Sequence, residues 1–191
     1  MAAIDLTTLA AVEQYLGVPS GNSDEPLLTA LITAASQAIS SYCNRVFQVQ
    51  AYNENRDGVL GQNQIVTLGY PIVSVAGVTV NGQAIPAATP GAWPRQGYSN
   101  GQWYIRIDGY CVPEGSKNVN LQYTAGYATI PADLAQACIE MVALKYKQKD
   151  RIGVSGSEGI DGQHISYKDI AISQSTAMML QQYKRVIMVP Q

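Results

Sequence analysis

Few residues in this chain have side chains suited to chemistry, and they are scattered. The chain has one histidine, His164, and three cysteines, Cys43, Cys111 and Cys138. With a single histidine, no metal site built on two or more of them is available. A Ser-His-Asp triad would have to use His164, and a solvated loop histidine is the simpler reading. Gly153-x-x-Gly156-x-x-Gly159 lacks the following GK[ST] of a phosphate-binding loop and reads as a flexible linker. The cysteines show no C-x-x-C spacing and fall on apolar stripes or strand ends, where Cys behaves as a small hydrophobe. Asp24 and Glu25 read as a helix cap, and Asp57 and Asp108 as turn residues. The expectation is a non-enzyme with no cofactor, no metal and no catalytic set. The one charged cluster is Lys145, Lys147, Lys149 and Arg151. It compensates a helix C-terminal dipole, or meets phosphates in a salt-dependent way. Both readings hold together if the cluster faces a channel through which DNA moves.

Composition narrows the class further. At 191 residues the chain is long enough for one domain, or one domain with a large insertion, and needs no disulfide to build a core. A formal charge of −2 lacks the basic excess of a dedicated nucleic-acid binder. No apolar run is long enough for a membrane span, and the first residues lack the pattern of a signal peptide, so no membrane partner is expected. The odd, scattered cysteines read as reduced thiols in a protein made in a cytosol. Charged residues make up only 14%, and 12 of the aromatics are tyrosine against two tryptophans and one phenylalanine. Tyrosine buries area while keeping a polar tip, which suits an assembly component; a Tyr-rich sheet surface is the equal alternative.

The elements follow from periodicity. Thr7 is placed to cap a short helix carrying Leu9, Val12 and Leu16, which Gly17 and Pro19 stop. Asp24 is placed to cap a second helix whose stripe is Leu28, Leu31, Ile32, Ala35, Ile39 and Tyr42. Its opposite face, with Thr29, Thr33, Ser36, Gln37 and Ser40, is small enough for close approach of a helix or subunit. Between Val46 and Tyr123 the period changes to two, with turn dipeptides such as Asn81-Gly82, predicting five or six antiparallel strands with a long loop over 86–100. A helix returns after Pro131, with one stripe of Leu134, Ala137, Cys138, Met141 and Leu144 and a second of Ile139, Val142 and Tyr146. Two apolar sides mean packing on its own domain and on something else. Ser173 is placed to cap a last short helix ending near Arg185, before the apolar terminus Val186-Ile187-Met188-Val189. That end either folds back or docks on another protein. The fold class expected is α+β. A bundle of three to four helices (1–45 and 128–185) carries an inserted β region (46–127), a flexible linker (153–172) and a C-terminal arm (183–191).

Several segments, in order, resemble the head–tail connector (adaptor) proteins of tailed double-stranded-DNA bacteriophages. They are Leu6-Thr7-Thr8-Leu9 with Tyr15-Leu16-Gly17, Leu27-Leu28 through Ala34-Ala35, and Ile39 through Phe47. Tyr70-Pro71-Ile72-Val73-Ser74-Val75 follows, then the most specific part: Tyr123-Thr124-Ala125-Gly126-Tyr127 with Ile130-Pro131-Ala132-Asp133-Leu134 and Gln136-Ala137-Cys138. The match continues through Lys145-Tyr146 and Asp150 to Ser155 and is weakest over 83–118. None of these motifs is catalytic; their order carries the resemblance.

The resemblance implies a homo-oligomeric ring, typically of twelve copies, at the head–tail interface of a virion, with synthesis in the host bacterial cytoplasm. The C-terminal segment would embrace the portal protein, and the other face would receive a stopper or tail-completion protein. DNA would pass through the lumen with transient, non-specific contact. Portal-contact candidates are Tyr183, Arg185, Val186, Ile187, Met188 and Val189. Subunit-interface candidates are Ile139, Val142, Tyr146, Ser36 and Ser40; Lys145, Lys147, Lys149 and Arg151 are the DNA-channel candidates. Three alternatives stand beside it. Another neck or tail-completion protein is one. A β-rich receptor- or carbohydrate-binding module using Trp93 and Trp103 is the second, and an enzyme using His164 is the third.

Overall fold

Helix formation begins where a capping oxygen meets an apolar stripe. In a computed structural model describing residues 4–149, 156–158, 164–166 and 174–185, α1 spans Leu9–Leu16. Its cap is Thr8, whose hydroxyl accepts from the Ala11 N–H at 3.3 Å; Thr7, the expected cap, is buried instead. Gly17, at φ 69°, ends the helix in the left-handed conformation that glycine adopts without steric penalty. α2 (Glu25–Cys43) accommodates Pro26 in its first turn and ends at Asn44, also left-handed at φ 54°. Its buried face is Leu28, Ile32, Ala35, Ser36, Ile39, Ser40 and Cys43. The stripe is therefore rotated from the expected one, taking Ser36 and Ser40 in place of Leu31 and Tyr42. For Ser36 the reason is a close contact that satisfies its hydroxyl. Ser36 Oγ accepts from the Leu6 N–H at 2.9 Å and lies 3.5 Å from Cys138 Sγ.

Cys138 belongs to α3 (Ala132–Gln148), which pairs chiefly with α2 and also carries α1 and α4 (Gln174–Gln181). Val12, Leu28, Ile32, Ile39, Leu134, Val142 and Leu180 are almost wholly excluded from water. Each contributes about 1.5–3 kcal/mol of apolar burial, which is what holds this four-helix arrangement. Two short strands, β8 (Gly156–Glu158) and β9 (His164–Ser166), pair antiparallel with Glu158 opposite His164. His164 thus stands in a strand rather than a loop, and part of the expected linker is ladder, because pairing satisfies backbone groups that would otherwise need water. The remainder of that linker, Ser173, and residues 186–191 of the arm lie outside the described residues. No described helix is long and apolar enough to cross a membrane.

The β region holds seven strands in two antiparallel sheets. The larger has the order β1 (Gln50–Gly58), β7 (Gly115–Ala125), β3 (Ile72–Val80), β4 (Gln83–Ile85). The smaller has the order β2 (Gln64–Val66), β6 (Tyr104–Asp108), β5 (Gly97–Asn100). Asn81 and Gly82, both at positive φ, close the β3–β4 hairpin as their sequence requires. β5 falls in the stretch expected to be loop. Gly97, at φ 114° and against the Pro86 carbonyl, lets the chain turn back into pairing there. β1 starts at Gln50, later than the expected Val46. Beyond it Gln48 bridges Tyr127 in parallel, because Gly126 at φ 132° ends the antiparallel ladder. Alternate residues of both sheets, with Val112 from the connection between β6 and β7, supply one core: Val78, Val80, Ile85, Ile105, Ile107, Val119, Leu121, Tyr123 and Ala125. The chain packs as two compact units, residues 1–45 with 130–191, and residues 46–129.

Candidate functional site

Three places in the chain gather the residues singled out above. The first is the C-terminal end of α3. Lys149 Nζ lies 2.7 Å from Asp24 Oδ2, and the Tyr146 hydroxyl donates to the same oxygen at 2.5 Å. The ammonium also sits 4.4 Å from the centre of the Tyr146 ring. Asp24 makes no side-chain cap to its own helix; its carboxylate ties the start of α2 to the end of α3. Lys149 is thus an ion-pair partner and Tyr146 a hydrogen-bond donor within the chain, while Lys145 and Lys147 stand exposed. Arg151 lies outside the described residues.

Hydrogen bonds from Lys149 and then Tyr146 hold the Asp24 carboxyl below its ordinary value of 3.8, and the Asp24 bond raises Lys149 above its ordinary 10.5. A lowered acid contributes stability that is present above 3.8 and lost as pH falls through the folded value; the raised ammonium loses its share as pH rises through its own. Asp24→Asn should therefore be less stable than the parent at neutral pH, with the gap closing below pH 4. Urea midpoints across pH check this. Because both partners are about one-third exposed, solvent screening keeps the effect small.

The second place is the α2–α3 contact. Ser36, Ser40, Ile139 and Val142, proposed from sequence as faces toward another subunit, are buried within the chain's own helical unit. They join the buried faces of α2 and α3, where Ser36 meets Cys138 across the helix pair. The exposed side of α2 is instead Leu27, Ala30, Ala34, Gln37, Ala38 and Ser41. Small apolar residues recurring every four positions were the signal available for that face.

The third is the C-terminal exit. Tyr183 Oη donates to both Asp133 carboxylate oxygens, at 2.8 and 2.7 Å, and Gln182 Nε2 reaches Asp133 Oδ2 at 2.7 Å. Lys184 Nζ stands 5.2 Å from the Tyr42 ring centre. The Arg185 N–H donates to the Cys43 carbonyl at 2.9 Å.

The remaining candidates are placed as follows. Trp93 is 93% exposed and Trp103 45%. Trp93 borders a shallow hollow of about 500 Å³ with Pro94, Arg95, Gly109 and the Arg106–Asp108 ion pair. Cys43 and Cys138 are buried and Cys111 is exposed. Burial pushes the Cys138 thiol up to about 11 and Cys43 upward also, which removes thiolate character at neutral pH. Among the described residues no cluster of His, Cys, Asp and Glu could hold a metal ion.

Three solved structures share the fold across nearly the whole chain. A chain of the neck of an empty gene transfer agent (GTA) particle, computed with C6 symmetry, has a TM-score of 0.63 at 14% identity, covering 99% of this chain and 95% of that one. A chain of the native GTA virion gives 0.59 at 13% identity, covering 96% and 92%. A chain of the native GTA neck, computed with C12 symmetry, gives 0.58 at 14% identity, covering 99% and 95%. No curated protein matches the sequence. The profile of the head completion proteins matches residues 5–186, so the chain belongs to the head completion protein family.

Proposed function

We propose that this protein is a structural joint of the neck in a tailed-phage-like particle. Copies assemble as a ring, twelve in the virion, between the portal of the head and a stopper or tail-completion protein. Residues 183–191 dock on the portal, and double-stranded DNA passes through the lumen without sequence reading. The family match over residues 5–186 carries this reading. It is supported by the same fold in subunits of necks computed with C6 and C12 symmetry. The reading needs no chemical step. Lys145 and Lys147 are the exposed cations that could touch passing phosphates, with Arg151 beside them in sequence. The exposed small-residue face of α2 replaces Ser36, Ser40, Ile139 and Val142 as the surface offered to a neighbour.

The test is native mass spectrometry of the purified chain mixed with portal rings from the same genome. One chain per portal subunit is expected, and none after removal of residues 183–191. Unchanged binding by the truncated chain would overturn the arm's role, and no complex with intact portal rings would overturn the reading.

A second reading rests on the exposure of Trp93 beside the Arg106–Asp108 pair: a glycan-binding platform, with sugar stacked on the indole. Glycan binding abolished by Trp93→Ala, together with no portal complex, would establish it.

A further inference from the structure

We propose that Asp133 and Tyr183 act as positioning residues for the C-terminal arm, fixing the point and direction from which it leaves the helical unit. This rests on the docking of the arm proposed above and confines the portal contact to the residues after Arg185, with Tyr183 as part of the base. Four successive residues, Gln182 to Arg185, are each held at this exit. Gln182 and Tyr183 converge on one carboxylate, Lys184 lies over Tyr42, and the Arg185 N–H is tied to the Cys43 carbonyl. The anchors are the first turn of α3 and the last turn of α2, the two best-packed helices of the unit.

Asp133 is well suited to the task. It lies in the first turn of α3, where the helix dipole favours an anion, and the Leu134 N–H donates to its Oδ1 at 3.0 Å. Tyrosine and glutamine donors then fill both of its oxygens. Bonds from a hydroxyl to a carboxylate are stronger than neutral ones, and α4 ends just before them. The four residues that follow α4 would otherwise fray from its end; here each of them is held. The physical benefit is preorganisation. An arm whose base is already placed needs less ordering on docking, so a larger fraction of encounters is productive.

The experiment follows association and dissociation of the full-length chain with immobilised portal rings, for Tyr183→Phe, Asp133→Asn, the double variant and a chain ending at Arg185. Each single substitution should slow association about tenfold with dissociation unchanged, as expected when the competent fraction falls. The double variant should slow it no further, because both substitutions remove one latch. Tyr183→Phe keeps the ring and its packing, so it remains informative if Asp133→Asn folds poorly. Association at the parent rate for the single variants, with binding lost in the chain ending at Arg185, would overturn the latch and leave the docking intact. Additive losses in the double variant would overturn it too, by showing that Tyr183 touches the portal itself. Undiminished binding by the chain ending at Arg185 would instead remove the docking reading on which the latch depends.

Discussion

A Tyr123→Ala protein is expected to lose about 3–5 kcal/mol of stability, the range for removing a large aromatic from a filled core. Tyr123 is 2% exposed, and its ring stacks on Tyr52 with centroids 5.1 Å apart and planes 9° from parallel. Its hydroxyl donates to Glu54 Oε1, which also accepts from the Leu68 N–H at 3.0 Å, and in turn accepts from the Gly69 N–H at 2.9 Å. The other Glu54 oxygen holds Arg56 at 2.7 Å. Burial, then the bond to Glu54, pushes the phenol well above its ordinary range, so it stays a donor at any pH the protein meets. Tyr123→Phe separates the two contributions. It keeps the stack but leaves the Gly69 N–H without its acceptor and a buried carboxylate short of a donor, for a loss of about 1–3 kcal/mol. Urea unfolding of the parent and both variants measures this. A phenylalanine variant as stable as the parent would show that the network contributes specificity without energy.

Gly126→Ala is expected to be comparably damaging for an unrelated reason. A Cβ at that position would stand 2.3 Å from the Gln48 carbonyl oxygen and 2.6 Å from the Val49 nitrogen, both backbone atoms that cannot step aside alone. The backbone at φ 132° is also one that an L-residue avoids. Overpacking and backbone strain each carry about 1–3 kcal/mol, so a loss of about 2–6 kcal/mol follows. Gly77→Ala is the control, because a Cβ there meets nothing within 4 Å. Its urea midpoint should stay near that of the parent, and equal midpoints for the two variants would sink the steric argument.

These two positions show what kind of information the motif Tyr123-Thr124-Ala125-Gly126-Tyr127 carries. It is the most specific stretch of the family resemblance, and its chemistry is structural. Tyr123 closes the buried network, Ala125 fits a crowded ladder, and Gly126 turns the backbone. The α+β class, the helix over Glu25–Cys43 and the Asn81-Gly82 hairpin were legible in the sequence, because each rests on neighbours within a few turns. What escaped depends on partners far along the chain. Ser36 looked like an outward polar residue, since its donor Leu6 and its neighbour Cys138 lie 30 and 102 residues away. Asp24 looked like a cap, since Tyr146 and Lys149 are 122 and 125 residues distant. β5 was hidden in a stretch rich in Pro and Gly, because one glycine at a positive φ is enough to restore pairing. Ser40, Ile139 and Val142 escaped for the same reason: local period places them toward a neighbour, and the packing of the helical unit buries them.

The exit at Arg185 also sets how the molecule would bear tension. A pull on the terminus does not peel α4 away one turn at a time. The load passes through the Tyr183–Asp133 bonds into the head of α3 and through the Cys43 carbonyl into the tail of α2. Those few bonds stand between the pull and α4, and the terminus comes free once they have broken, with the contact between α2 and α3 untouched. Tension on this end is therefore met first by these few bonds and not by the turns of α4.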